Sequence, residues 1–339
     1  GSQYPGMLRD LTVAFPEVME TFEYADRVLA DRFSRPLSGY IFPPPAFTRE
    51  EEQAQQEALT QTNVAQPALG SASLALLRLL EDLGVGPDMV AGHTYGEYVA
   101  LCAAGAIDEK TLLTLSEARG RCIIESAKED LGTMAAVRAH PDTIAPVVKP
   151  VDGVWIANLN APEQTIISGT RDGIAEAVKR LQVDGISAQS IPVACAFHSP
   201  LMAPAQQRLA EVLSGAEFAV PSLEVFSNTT GKPYPRKRRE IRELLAQHLV
   251  RPIEFTAEIE AMHAAGARLF VEVGPRSVLA SLARQTLGER PHVAIPVDLP
   301  SRSGLTQLQH ALGQLAAHGV PLHLGRLFRD RTIQRLDLG

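Results

Sequence analysis

Apolar residues along this chain fall into two alternating textures. Across residues 66–83 they recur at helical spacing, through Leu69, Leu74, Leu76, Leu77, Leu79 and Leu80, and predict a helix opening at Pro67. The next segment, Met89-Val90-Ala91, is nearly all apolar, as a buried parallel strand would be. The run Tyr98-Val99-Ala100-Leu101-Cys102-Ala103-Ala104 then predicts a helix of mostly small residues. Strand-like and helix-like segments alternate throughout, which predicts a mostly parallel sheet covered by helices.

From about residue 133 the elements shorten. Strands are predicted at 134–137, 154–158, 165–168 and 187–192, around helices at 141–147 and 171–183. This β-α-β-β-α-β order predicts a small ferredoxin-like insert. The larger pattern then resumes with a strand at 268–273, closed by Gly274-Pro275, and an amphipathic helix at 305–318. The expected division is a large α/β subdomain at 1–132 and 194–299, a small one at 133–193, and a C-terminal helix and linker at 300–339. Pro43-Pro44-Pro45 and the charged run from Arg49 to Glu52 read as a solvated surface loop.

Composition narrows the classes. A chain of 339 residues, 45% of them hydrophobic, can bury one large core or two unequal ones. A net charge of −7 and a pI near 5.8 argue against nucleic acid or an anionic membrane as partner. No apolar run reaches membrane-spanning length and no signal peptide is read, so a cytoplasmic protein is expected. Cys102, Cys122 and Cys195 lack metal-ligand spacing, and their odd number fits reduced thiols. The nine histidines are scattered, and no metal is expected.

The candidate chemistry centres on Val90-Ala91-Gly92-His93-Thr94-Tyr95-Gly96-Glu97. The frame is G-x-S-x-G with threonine for serine, set between a strand and a helix as in a nucleophile elbow, where both glycines let neighbouring backbone approach. By itself G-x-T-x-G reads equally as a turn with no chemistry. A β-branched residue is also unfavourable at the positive φ that such elbows impose.

Other patches change that reading. Cys195-Ala196-Phe197-His198-Ser199-Pro200 places a histidine where the insert ends. Arg119-Gly120-Arg121 lies on a helix beyond the elbow, and Val273-Gly274-Pro275 caps a late strand. With Gly1-Ser2-Gln3-Tyr4-Pro5-Gly6-Met7, Thr62-Asn63-Val64-Ala65-Gln66-Pro67-Ala68-Leu69, Asn158-Leu159-Asn160-Ala161-Pro162-Glu163-Gln164 and Ile167-Ser168-Gly169, the chain resembles the malonyl-CoA:acyl-carrier-protein acyltransferases. The acyltransferase domains of type I polyketide and polyunsaturated-fatty-acid synthases resemble it most, from Gly1 to about Arg326.

The resemblance implies an α/β-hydrolase-like large subdomain and a set of roles. Thr94 takes the nucleophile's place, holding the acyl group between two thioesters. His198 maps to the general base. His248, in Gln247-His248-Leu249-Val250-Arg251-Pro252, falls where the family orients its histidine through a backbone carbonyl. The Tyr95 amide becomes an oxyanion donor. Arg119 resembles the arginine that forks onto the free carboxylate of malonyl. Phe197 implies malonyl rather than methylmalonyl, by excluding one methyl, although Cys195 and Tyr95 depart from the usual pattern. Gln66 resembles a pocket residue, with packing at a helix start as its alternative. His93 shapes the elbow and pocket wall, and Glu97 reads as a solvated first-turn acid. Arg119 and His198, taken singly, also fit structural roles, and Cys102 and Cys122 read as small core residues.

The family's opening, Phe-Pro-Gly-Gln-Gly-Ser-Gln, is met here from its second glycine, so its oxyanion glutamine falls outside this sequence. The implied substrates are malonyl-CoA and a carrier protein's phosphopantetheine, with no bound cofactor. The implied partners are acyl carrier protein, acyl-CoA and a neighbouring ketosynthase. A catalytically impaired domain with a docking role is the alternative, motivated by Thr94 and the upstream segment. An esterase or thioesterase is a weaker one, since that class wants a carboxylate-oriented histidine late in the chain. The tail is expected to lie extended on the large subdomain with Leu322, Leu324, Leu327 and Phe328 inward, and residues 329–339 poorly ordered.

Overall fold

The computed structural model describes residues 1–126, 132–193 and 195–329. Helix alone fills the chain up to the first strand, β1, at Met89–Val90, so the alternation expected from the first residue begins only there. The charged run at Arg49 opens the helix Arg49–Thr60 rather than a loop: Thr48 and Glu51 form a reciprocal capping box that satisfies two end amides. The leucine-rich helix runs Thr62–Asp82, starting four residues before Pro67. Pro67 is tolerated inside it near the N-terminal end, and its carbonyl accepts from Ser71 Oγ at 2.8 Å. Val64, Ala68, Ala72, Leu76, Leu79 and Leu80 of this helix share a buried cluster with Val18, Phe22 and Leu312, which ties the N-terminal helices to the late helix Gly304–Ala317.

The small subdomain matches its expected order. It holds β2 (Thr133–Val137), the helix Pro141–Val148, β3 (Val154–Ala161), β4 (Gln164–Gly169), the helix Arg171–Val183 and β5 (Ala188–Ile191). Its antiparallel sheet runs β3-β4-β2-β5, the ferredoxin-like order, over its own core of Val137, Ile144, Ile167, Ile174 and Leu181.

The parallel strands of the large subdomain form two short ladders, not one continuous sheet. β1 pairs in parallel with β6 (Glu224–Ser227), which turns back into β7 (Lys232–Pro233), while β8 (Leu269–Glu272) pairs in parallel with β9 (Val293–Pro296). Two- to four-residue strands carry few ladder bonds, so packed helices supply most of the burial. The end of β3 reaches across to this part, with Ile253 N–H donating to Ala157 O at 2.8 Å and Leu159 N–H to Ile253 O at 2.7 Å.

The tail departs from the extended run expected of it. Leu324–Phe328 forms a 3-10 turn, which breaks strand alternation. Leu322 and Leu327 pack against the main core, but Leu324 and Phe328 are 46% and 49% exposed. His323 N–H donates to Leu83 O at 2.8 Å, and Arg329 pairs with Asp82 at 3.1 Å, anchoring the segment to the end of the leucine-rich helix. Residues 330–339 of the tail lie outside the described residues.

Candidate active site

β1 ends against its partner at Val90, and the chain reverses at once into the helix Gly96–Ala103. Gly92 permits that reversal, because a Cβ there would lie 2.0 Å from the Gly96 carbonyl carbon. Gly96 itself would place a Cβ in open space, so only the first glycine is sterically required. Thr94 sits at the apex with φ 46°, in the left-handed region that a β-branched residue adopts only under strain. Its Oγ1 accepts from Tyr95 N–H. The Tyr95 ring is buried, bonded through its hydroxyl to Ser116 Oγ at 2.7 Å and stacked on Tyr98.

Arg119 is carried by the helix Glu109–Ser126. The adjacent Gly120 lets this helix touch the Thr62–Asp82 helix, since a Cβ there would sit 2.3 Å from Asn63 Cα. The contact brings Arg119 to Gln66: Nη1 donates to Gln66 Oε1 at 2.9 Å, and Gln66 Nε2 donates to Thr62 Oγ1 at 2.7 Å. Arg119 is 3% exposed, its Nε has no partner, and no carboxylate pairs with it among the described residues. Burial lowers its pKa, yet a guanidinium stays charged in a protein. The face of Tyr98, 5.8 Å from the guanidinium carbon, is its aromatic neighbour.

His198 follows a turn at φ 59° and is buried. Its N–H donates to Leu249 O at 3.0 Å, and Nδ1 lies 2.9 Å from the His248 carbonyl. A carbonyl only accepts, so Nδ1 carries the proton and Nε2 keeps its lone pair. Burial, the largest cause, pushes the imidazole down to about 3, assisted by the Arg119 charge. No carboxylate bonds to His198, and no hydrogen bond joins it to Thr94, among the described residues. Phe197 beside it packs on the elbow-helix cluster and on Met134, Ala157 and Ile166 of the small subdomain.

His93 reaches the small subdomain, with Nε2 2.7 Å from Asn160 Oδ1 and an edge-to-face contact on Phe255. Desolvation lowers its pKa too. Cys122 and Cys195 are buried and Cys102 is half-buried; burial pushes the Cys195 thiol up to about 12.

Two residues escaped the sequence reading. Glu97 is fully buried, not solvated: Oε1 accepts from Asn228 N–H at 2.6 Å and Oε2 accepts from the Tyr234 hydroxyl. Burial raises its carboxyl to about 7 against the pull of those donors. An acid flanked by Tyr98, Ala100 and Leu101 was the available signal. Asn228 stands in the polar run Ser227-Asn228-Thr229-Thr230-Gly231 just past the carboxyl end of β6, where α/β folds gather their ligand sites.

The fold and this elbow place the protein in the α/β class that joins a hydrolase-like body to a ferredoxin-like insert. The chain belongs to the acyl transferase domain family, whose model matches residues 1–319. It is 33% identical over 336 residues to a polyunsaturated fatty acid synthase of Thraustochytrium sp., covering 95% of this chain but only 12% of that protein. It is 34% identical over 292 residues to the malonyl CoA-acyl carrier protein transacylase of Bacillus subtilis, covering 84% of this chain and 87% of that one. The crystal structure of the acyltransferase domain from the second module of the salinomycin polyketide synthase superposes with a TM-score of 0.86 at 31% identity, covering 97% of this chain and 74% of that chain. No helix among the described residues is long and apolar enough to cross a membrane.

Proposed function

We propose that this chain is the acyltransferase domain of a polyketide- or polyunsaturated-fatty-acid-type synthase, moving malonyl from malonyl-CoA to the phosphopantetheine thiol of an acyl carrier protein. Arg119 carries the reading. A buried guanidinium with a free Nε and only neutral partners is a costly arrangement unless an anion completes it. The carboxylate of a dicarboxylic acyl group fits that role. The similarity to a bacterial malonyl CoA-acyl carrier protein transacylase agrees with it.

His198 Nε2 takes the Thr94 hydroxyl proton as Oγ1 attacks the thioester carbonyl. The Tyr95 amide supports the oxyanion. Collapse breaks the carbon–sulfur bond, and CoA leaves as a thiol with the proton from His198. The carrier thiol then reverses these steps and receives the malonyl group. Gln66 holds Arg119 in place, His93 fixes the elbow to the small subdomain, and His248 orients His198. The two thioesters are substrates, and the chemistry asks for no bound cofactor. The subdomain division at 1–132 with 194–299, 133–193 and 300–339 and a neighbouring ketosynthase belong to this reading.

Intact-mass spectrometry after mixing with malonyl-CoA tests it. A malonyl adduct that disappears in Thr94→Ala supports the proposal. If neither the parent nor Thr94→Ser forms an adduct, malonyl transfer through this residue is refuted.

A second reading is favoured by one observation: Thr94 is β-branched at φ 46°. A domain slowed by that residue, or retained only for docking to the synthase, fits it. Thr94→Ser that still binds carrier protein but turns over no faster than the parent selects the docking role.

A further inference from the structure

We propose that Asn228 is a positioning residue that holds the elbow and the histidine-orienting carbonyl in register; this rests on the acyl-transfer reading above. Asn228 is fully buried just past the end of β6, the strand paired with the elbow strand β1. Its side chain makes two bonds of opposite sense. Nδ2–H donates to the carbonyl of Gly92, two residues before Thr94, and Oδ1 accepts from His248 Nε2–H at 2.8 Å. The His248 carbonyl in turn receives His198 Nδ1–H. One amide therefore links the segment that carries Thr94 to the segment that aims His198.

The backbone of Asn228 is pinned as firmly. Its N–H donates to Glu97 Oε1 at 2.6 Å, and its carbonyl accepts from Glu254 N–H at 2.5 Å. Glu97 lies one residue past the elbow's second glycine and is held from its other oxygen by Tyr234. The bridge thus grips the elbow at Gly92 and at Glu97, on both sides of Thr94.

Only a primary amide can donate to a carbonyl and accept from an imidazole N–H at once. Alanine leaves a buried carbonyl and a buried imidazole N–H unpaired. An ionised aspartate keeps the acceptor but turns an oxygen toward the Gly92 carbonyl. Protonation restores the donor. Around it stand Glu97, Tyr234, His248 and, through His248, His198; Glu258 and Arg119 interact with Glu97, and His93 with His248. Burial and the Glu97 charge both favour the protonated aspartic acid.

The test uses the Thr94→Ser protein as reference. Adding Asn228→Ala is expected to lower the single-turnover loading rate on the order of a hundredfold, as a misplacement of about 1 Å does, with malonyl-CoA affinity within about twofold. Asn228→Asp is expected to recover rate as pH falls from 8 to 6, relative to the reference protein at each pH. Nitrogen NMR of labelled histidine reads the same bridge without any acyl transfer: His198 keeps its Nδ1–H tautomer in the reference and loses it in Asn228→Ala. A loading rate within threefold of the reference, or an unchanged His198 tautomer in folded Asn228→Ala or Asn228→Asp, overturns the assignment. If the reference does not load at all, malonyl transfer fails, and the tautomer experiment still decides on Asn228.

Discussion

His198 gives its Nδ1–H to the backbone carbonyl of His248 across 2.9 Å, where a hydrolase triad would place a carboxylate. A carbonyl fixes the ring and its tautomer as a carboxylate does, but adds no negative charge to stabilise an imidazolium. Burial is therefore unopposed by a counter-ion, which is why the ring is pushed down to about 3 and stays neutral through the physiological range.

The pH dependence follows in sign. Burial lowers His93, His198 and His248 below the ordinary 6.5, so the unfolded chain binds more protons there. Their stability contribution is present above pH 6.5 and is lost as pH falls below it. Glu97, raised from 4.5 to about 7, and Glu258, raised well above 4.5, act the other way: stability is lost as pH rises from 4.5 through their folded values. Both Glu258 oxygens are buried without partners. Urea unfolding from pH 5 to 9 is expected to show Glu258→Gln flattening the alkaline side and gaining about 1–3 kcal/mol at pH 8. The loading rate is expected to show no acid limb near pH 6.5 from His198.

Thr94→Ser should load faster than the parent. The smaller side chain relieves the β-branch at φ 46° and exposes a primary hydroxyl. A tenfold gain corresponds to about 1.4 kcal/mol of barrier, which is the scale expected. Stopped assays with malonyl-CoA measure it, and a slower serine protein contradicts the account.

Arg119→Met should lose preference for a free carboxylate. Competition between malonyl-CoA and acetyl-CoA is expected to shift toward acetyl by on the order of tenfold to a hundredfold, the range of one charge-assisted bond. Thermal unfolding should show little or no loss, because a buried charge without an acidic partner is replaced by an apolar chain.

Phe197→Ser should relax extender choice. The ring packs between the elbow-helix cluster and Met134, Ala157 and Ile166, so its removal opens space beside His198. One methyl is discriminated by about 1–3 kcal/mol. A malonyl to methylmalonyl preference that stays unchanged in the serine protein would remove Phe197 from the pocket.

The two elbow glycines are expected to differ sharply. Gly92→Ala forces a Cβ to within 2.0 Å of the Gly96 carbonyl carbon, whereas Gly96→Ala meets nothing within 4 Å. Gly92→Ala should destabilise by several kcal/mol or fail to fold, and Gly96→Ala should stay within about 1 kcal/mol of the parent. Chemical denaturation of the pair decides.

Local sequence determined a great deal here. The ferredoxin-like insert was legible because each of its elements is short, bounded and periodic, and the helix Arg171–Val183 was read to the residue. The elbow, Arg119 and His198 were legible as residue types in ordered motifs. The capping box at Thr48 and Glu51 was equally local, though the charged run hid it. Tertiary structure alone decided the rest. Glu97 looks like any first-turn acid until Asn228 and Tyr234 arrive from far along the chain to take both its oxygens. The parallel ladders proved short because strand length depends on partners that no single segment specifies. Whether Leu324 and Phe328 face protein or solvent depended on a 3-10 turn anchored at Leu83 and Asp82, a contact between distant parts of the chain that hydrophobic alternation cannot encode.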